Sequence, residues 1–187
     1  MANEIEAKAR VESLDEVRSR LGRLGARLVE SGFERNIVFD TPDGKLRARD
    51  SLLRLRKYVK NMLTFKGPRA GSRPVKSRRE VEFEVSDFDS AAELLESLGF
   101  VGAWTYEKRR EKWALDDAKV FLDVVPYLGS FVEVEAASEE RVMAALDRLG
   151  VPKSAITPGT YLELFEEYRR TNSVGDTNMV FREGEGR

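Results

Sequence analysis

Along most of the chain, apolar and polar residues alternate in one of two rhythms. Three stretches keep the three- and four-residue step of a helix with a single apolar stripe. In "SLDEVRSRLGRLGARLVE" (13–30), Leu14, Val17, Leu21, Leu24 and Leu28 share one face, and Ser13 followed by Glu16 fits a capping box. In "SAAELLESLG" (90–99), Ala91, Leu94, Leu95 and Leu98 share a face, with Gly99 as a stop. In "SEERVMAALDRLG" (138–150), Val142, Ala145, Leu146 and Leu149 do so, with Gly150 as a stop.

Most of the remainder runs with period two, the signature of strands. In "NEIEAKAR" (3–10), Glu4, Glu6 and Lys8 oppose Ile5 and Ala7. "SLLRLRKYV" (51–59) sets Arg54, Arg56 and Tyr58 against Leu53, Leu55 and Val59, and "MLTFKG" (62–67) sets Thr64 and Lys66 against Leu63 and Phe65. "SRREVEFEV" (77–85) sets Arg78, Glu80, Glu82 and Glu84 against Val81, Phe83 and Val85. "YEKRREKWAL" (106–115) gathers Lys108, Arg110 and Lys112 on one face, "KVFLDVV" (119–125) sets Asp123 opposite Val120, Leu122 and Val124, and "SFVEVEA" (130–136) sets Glu133 and Glu135 opposite Val132 and Val134. Turn signals at "TPDG", "KGP" and "PYLG" separate these runs.

A recurrence emerges from the order. Each Glu-x-Glu strand (4/6, 82/84, 133/135) runs directly into a helix, and basic strands follow the first two helices. About eight strands and three helices predict an antiparallel α+β domain over residues 1–170. From Thr171 the sequence loses periodicity, so 171–187 is expected to be a mobile terminus.

Composition narrows the chemistry. In 187 residues, 32 Lys+Arg nearly cancel 33 Asp+Glu, leaving a net charge of −1 that gives no general attraction to nucleic acid or to an anionic membrane. There is no cysteine and no histidine, which removes thiol nucleophiles, Ser–His mechanisms and most zinc sites. A bound metal would need oxygen ligands, favouring Mg²⁺ or Mn²⁺. With no signal peptide and no long apolar run, a cytoplasmic protein is expected.

A half-buried sheet with its polar side in water accounts for most of the alternation. Two details strain that account. The charges are sorted by strand: carboxylates in 3–10, 77–85 and 130–136, cations in 51–59, 62–67 and 106–113. Like cations also recur at same-face spacing, Arg54 with Arg56 and Lys108 with Arg110, and such pairs repel unless an anion lies between them. If the sheet closes into a barrel with helices outside, these faces line a wet lumen that must hold compensating ions. The cations suit a phosphate chain and the carboxylates a hard divalent cation bridging to it, which together describe a metal-dependent triphosphate site.

"EIEAK" resembles the Glu-x-Glu-x-Lys signature of the CYTH superfamily, the triphosphate tunnel metalloenzymes, which includes class IV adenylyl cyclases and thiamine and inorganic triphosphatases. "NIVFDTPDGKL", "LLRLRK", "LTFKGP", "RREVEFEVSD", "YEKRREKW", "VFLDVVPYLGSFVEVE" and "TYLELF" follow in the family's order and extend the resemblance over about residues 3–168. It implies an eight-stranded antiparallel closed barrel with a charged bore. It implies metal ligation by Glu4 and Glu6 with Glu133 and Glu135 opposite, and triphosphate binding by Lys8, Arg54, Arg56, Lys66, Lys108 and Arg110. It makes Asp123 a supporting aspartate that orients an arginine. Glu82 and Arg78 are further supporting candidates, with the choice between Glu82 and Glu84 left open by the register.

Other residues carry plainer expectations. Arg109 and Glu111 fall on the outer face, Trp104 and Trp113 read as packing residues, and Tyr161 reads as an anchor for the C-terminal segment. The glycines near 67–71 lack the lysine and hydroxyl residue of a P-loop.

The resemblance favours a cyclase, turning ATP into cyclic AMP and pyrophosphate. The alternatives are hydrolysis of inorganic, thiamine or nucleoside triphosphate, and a non-catalytic polyphosphate-binding module. In both enzyme readings Lys8 joins Glu4 and Glu6 as a catalytic candidate, because arginines around it would favour its neutral form. The expected partner is a small triphosphate, not nucleic acid or membrane, with the chain a monomer or homodimer.

Overall fold

The alternating strands assemble into one antiparallel sheet of eight, curled strongly into a tunnel with helices packed on its outside. The computed structural model describes residues 3–70 and 76–182, excepting the side chains of residues 3, 4, 69, 70 and 76–78. The strands are β1 (Asn3–Val11), β2 (Arg27–Asp40), β3 (Leu52–Lys57), β4 (Asn61–Ala70), β5 (Lys76–Glu84), β6 (Val101–Leu115), β7 (Ala118–Val125) and β8 (Gly129–Ala136). Their neighbours run β1-β5-β4-β3-β2-β6-β7-β8. β1 pairs with β8 over Ile5–Val11 and with β5 over Asn3–Glu6.

Five α-helices are interleaved among the described residues: α1 (Leu14–Arg23), α2 (Lys45–Ala48), α3 (Phe88–Ser97), α4 (Glu139–Arg148) and α5 (Tyr161–Asn172). As the sequence predicts, α1, α3 and α4 each follow a Glu-x-Glu strand, and the side chains of Ser13, Asp87 and Ser138 cap them. Gly99 and Gly150 end their helices at φ +90° and +66°. Gly150 has a second duty: a Cβ there would collide with Arg20, whose Nη1 donates to Leu149 O at 2.6 Å.

Three expectations need correction. The first helix does not reach residue 30. It ends at Arg23, the chain turns at Gly25 (φ +73°), and β2 begins at Arg27, leaving Leu28 exposed. The leucine stripe carried on past a helix end, and apolar spacing alone does not mark that boundary. In α3 the buried residues are Phe88 and Leu95, while Leu94 and Leu98 point outward, because the helix packs with Phe88, Ala91, Ala92 and Leu95 toward the Phe39–Leu53–Leu55 cluster. The terminus expected to be mobile from Thr171 is instead docked: α5 runs to Asn172, and Met179 is buried, forms a parallel bridge with Tyr106 and donates its backbone N to Thr105 O at 3.0 Å. Residues 183–187 lie outside the described residues.

The core forms three clusters, two between the sheet and its outer helices and one, under α5, on the tunnel-facing side of the sheet. α1 and α4 press Val17, Leu21, Val142 and Leu146 onto the outward residues Ala7, Val120, Leu122, Val132 and Val134 of β1, β7 and β8. α5 brings Tyr161 and Phe165 to Val38, Tyr106 and Phe131. α3 covers the face formed by Leu53 and Leu55. Among the described residues the outer face of β4 and β5 has no such cover: Phe65, Val81 and Phe83 are exposed. No described helix is long and apolar enough to cross a membrane.

Candidate active site in the tunnel

Period two fixes which side chains enter the tunnel. One cavity of about 220 Å³ is lined by Glu6 and Lys8 (β1), Glu30 and Glu34 (β2), Arg54 and Arg56 (β3) and Lys66 (β4). Glu80 and Glu82 (β5), Lys108, Arg110 and Lys112 (β6), Lys119 and Phe121 (β7), and Glu133 and Glu135 (β8) complete the strand wall. Tyr58 and Tyr106 join it, and Thr160, Tyr161 and Leu162 at the start of α5 also line it. The rows of opposite charge therefore face one another across an enclosed polar space.

The geometry on the β6–β7–β8 side is tightly knit. Asp123 is fully buried and takes Arg110 in a bidentate grip, from Nε at 2.7 Å and Nη2 at 2.6 Å. It also accepts from Lys108 Nζ at 3.3 Å and from Tyr161 Oη at 2.8 Å. The expectation that this aspartate orients an arginine matches that arrangement. Arg110 Nη2 reaches on to Glu133 at 3.2 Å, and Lys8 Nζ lies 3.4 Å from the other oxygen of Glu133. Burial opposes ionisation of Glu133, but Lys8, Arg110, Lys108 and Lys66 outweigh it and hold its carboxyl well below the usual range. Burial pushes the Tyr161 phenol well above its ordinary value, and Asp123 and Glu133 push it further. The ring of Tyr161 carries Lys8 Nζ at 3.9 Å, a cation–π contact.

On the opposite side the contacts are looser. Arg56 Nη2 and Arg54 Nη2 approach Glu82 at 3.5 and 3.7 Å. Lys66 meets Glu80 at 3.0 Å. Glu84, by contrast, stands outside the cavity and pairs with Lys60 at 2.6 Å, with both side chains more than half exposed. The register thus selects Glu82 as the glutamate facing the arginines. The side chains of Glu4 and Arg78 lie outside the described residues; their backbones pair opposite one another in the β1–β5 ladder.

Glu6, Glu133 and Glu135 come together, each offering a carboxylate oxygen within 4.8 Å of the other two. Three hard oxygen donors, with no nitrogen or sulfur among them, fit a divalent cation of the Mg²⁺ or Mn²⁺ type. Glu135 also meets Lys119 at 3.3 Å.

Several tunnel residues were missed. Glu34 and Asn36 are fully buried on β2, and Glu30 lines the tunnel beside them. The period-two run Glu30-x-Gly32-x-Glu34-x-Asn36 signals them, but the leucine stripe of the preceding helix overran its start. Burial opposes ionisation of Glu34, yet Lys108, Arg110, Arg54 and Arg56 bring its pKa down to about 2. Tyr161, expected only as an anchor, both docks α5 and completes the hydrogen bonding of Asp123. The plainer expectations hold. Arg109 is exposed, Glu111 pairs with Arg18 at 2.7 Å, and Trp113 packs against the α1–α4 cluster. Asp40, within the "FDTPDGKL" run, is structural: its carboxylate accepts from the backbone N of Thr41, Leu46 and Arg47 and ties down α2.

A larger groove of about 1110 Å³ lies outside the tunnel between α1, β2, β6 and the docked terminus. Its wall mixes Leu14, Phe33 and Phe181 with Arg18, Arg109, Arg182, Glu107 and Glu111, of which Arg18 and Glu111 pair with each other.

The comparisons with known proteins agree with this architecture. The chain is 29% identical over 171 residues to a Methanocaldococcus jannaschii protein named "Putative adenylate cyclase MJ0240", covering 86% of this chain and 97% of that protein. It is 25% identical over 183 residues to "Adenylate cyclase CyaB" of Aeromonas hydrophila, covering 91% and 92%. Its fold matches the crystal structure of a "putative adenylate cyclase" from Vibrio parahaemolyticus at a TM-score of 0.80 with 21% identity, over 88% of this chain and 98% of that one. It also matches, at a TM-score of 0.66 and 22% identity over 88% and 95%, a Hippeastrum protein described as a "putative adenylyl cyclase" that reveals a dominant triphosphatase activity. The model of the CYTH domain matches residues 2–147, and with that span and this tunnel the chain belongs to the CYTH domain family.

Proposed function

We propose that the tunnel holds a triphosphate together with a divalent cation, and that the chain acts as a class IV adenylyl cyclase, converting ATP to cyclic AMP and pyrophosphate. One observation carries this reading: a three-carboxylate cluster, Glu6, Glu133 and Glu135, shares a single bore with Lys8, Arg54, Arg56, Lys66, Lys108 and Arg110. Simple anion capture would need the cations alone. The short β1–β5 seam is taken as closing the bore, so that the phosphates are gripped from all sides. The names of the two relatives support the cyclase reading.

Each role follows from chemistry at a stated atom. Glu6, Glu133 and Glu135, with Glu4 from the same strand as Glu6, hold the cation, which neutralises phosphate charge as a Lewis acid when bound. Arg54 and Arg56 are placed on phosphate oxygens, where a guanidinium binds in bidentate fashion, while Arg110, its Nε and Nη2 taken by Asp123 and Glu133, offers Nη1. Lys8, Lys66 and Lys108 add point charges. Asp123 holds Arg110 rigid, so that less entropy is lost when a phosphate arrives. In the reaction the ribose 3′-oxygen bonds to the α-phosphorus while the bond from that phosphorus to the bridging oxygen of the β-phosphate breaks. The hydroxyl proton leaves the 3′-oxygen and pyrophosphate departs. Glu34 and Glu133 are poor proton acceptors because the surrounding cations hold both carboxylates ionised. Lys8 is already paired with Glu133 at 3.4 Å and acts as a further charge on the phosphates, so the hydroxyl proton passes to the departing pyrophosphate.

Hydrolysis of the terminal phosphate is the second reading, because the same cage serves it, and the Hippeastrum protein of like fold is described with that activity. One panel separates them: ATP, thiamine triphosphate and inorganic triphosphate, each with Mg²⁺ or Mn²⁺, followed by phosphorus NMR. Cyclic AMP with pyrophosphate establishes the cyclase, and orthophosphate establishes the hydrolase. No turnover of any of the three with either cation overturns the enzyme reading.

A further inference from the structure

Glu34 lines the tunnel from β2 and is fully buried. Its Oε1 accepts from Asn36 Nδ2 at 2.9 Å and lies 3.4 Å from Lys108 Nζ. Its Oε2 has no hydrogen-bond partner among the described residues. The same is true of Oδ1 of Asn36, also fully buried and two residues along the same face. An ionised carboxylate only accepts, so the Asn36 atom turned toward Glu34 is the amide nitrogen, and Oδ1 must be the atom left over.

Holding Lys108 in place occupies one oxygen of Glu34. The second oxygen is buried without a donor, a costly state that a ligand donor would relieve. The terminal nitrogens nearby already have partners: Lys108 bridges to Asp123, Arg54 reaches Tyr106 and Thr64, and Arg56 reaches Glu82, while the Nε of Arg54 and of Arg56 are, like Glu34 Oε2, buried without one. The cations around Glu34 keep it ionised at neutral pH, so, beside arginine Nε donors open to a ligand's phosphates, Oε2 is an acceptor open to an O–H or N–H of that ligand. Bare triphosphate cannot supply one, since its ionised oxygens are acceptors and its charge repels Glu34. A triphosphate ester of a nucleoside carries both hydroxyl and amino donors.

From this geometry we infer that Glu34, oriented by Asn36, receives a hydroxyl or amino donor from the organic part of the substrate. The tunnel thereby selects triphosphate esters of a donor-bearing group, such as a nucleoside, over inorganic triphosphate. This rests on the triphosphate reading above and names the substrate class within it. Glu34 is a specificity residue, and Asn36 a positioning residue acting through it.

The test is calorimetric binding, with Mg²⁺, of two ligands that cannot turn over: bis-methylene ATP and bis-methylene triphosphate, in which both bridging oxygens are CH₂. The unmodified protein is expected to bind the ATP analogue at least about tenfold more tightly. Glu34→Gln is nearly isosteric; it is expected to weaken the ATP analogue about tenfold while leaving the bare triphosphate unchanged or tighter, because a repelling charge is gone. Asn36→Leu should move affinities the same way by less. Parallel weakening of both ligands would mean that Glu34 serves only to hold Lys108, and would overturn the inference; so would no change in either. The unmodified protein's own preference decides the matter if the variants fail to fold, and equal affinity there overturns the inference. Binding of neither ligand by the unmodified protein overturns the triphosphate reading itself, and this inference with it.

Discussion

Two strands of this protein carry the same motif and put it to different uses. Glu133-x-Glu135 in β8 and Glu82-x-Glu84 in β5 each precede a helix, yet the β8 side chains are only 8% and 12% exposed, while those in β5 are 30% and 54% exposed. The difference lies behind the strands. β8 is backed by α1 and α4, so Val132 and Val134 are completely buried and the carboxylates alternating with them are largely withdrawn from the surface. β5 has none of the described helices behind Val81 and Phe83, and its last glutamate pairs with an exposed lysine. Period-two alternation specifies which face a charge takes, but the layer behind the strand decides how far that charge leaves water.

That contrast can be broken by substitution. The largest effect is expected for Glu133→Gln, which should lower turnover of the triphosphate by about two to three orders of magnitude, while Glu84→Gln leaves it unchanged. Rates from phosphorus NMR decide it, and comparable losses in both variants would refute the contrast. Next, Leu122→Ala on the covered wall should cost about 2–5 kcal/mol in urea unfolding, against under about 1 kcal/mol for Phe83→Ala on the bare one.

Acid sharpens the comparison further. The folded-state pKa of Glu34 is depressed from 4.5 to about 2, so the stability it contributes is present above pH 4.5 and is lost as pH falls toward 2. The loss amounts to about 3 kcal/mol. Urea midpoints measured from pH 6 down to pH 2 should show a fall in that window which is smaller in Glu34→Gln. Arg54→Ala should raise KM for the triphosphate by about tenfold with little change in melting temperature, as expected of a phosphate ligand on the looser side. Smallest of all, Lys60→Ala removes the partner of Glu84 in an exposed pair and should leave both melting temperature and turnover as they were.

Much of the site was legible before any coordinates, because a strand's parity assigns its side chains to one face or the other. Lys8, Arg54, Arg56, Lys108, Arg110, Glu133 and Glu135 reach the lumen by that rule alone. What parity could not supply was the point where one rhythm hands over to another. Leu28 continued the leucine stripe of α1 by accident of spacing, so the start of β2 was hidden and Glu30, Glu34 and Asn36 with it. Nor could parity show which apolar stripe finds a partner, as the outward Leu94 and Leu98 of α3 demonstrate. The docked terminus was invisible for another reason. Met179 is held by backbone hydrogen bonds to β6 and a buried side chain, and neither leaves a periodic trace in sequence.

The CYTH match stops at residue 147, whereas Tyr161 comes from the helix that follows and supplies Asp123 with a hydrogen bond. One rim of the tunnel is therefore furnished by a helix outside the matched span. Exchanging that helix would reshape the entrance and, in the same stroke, take a hydrogen bond from Asp123 and a ring from under Lys8, so the two cannot vary independently.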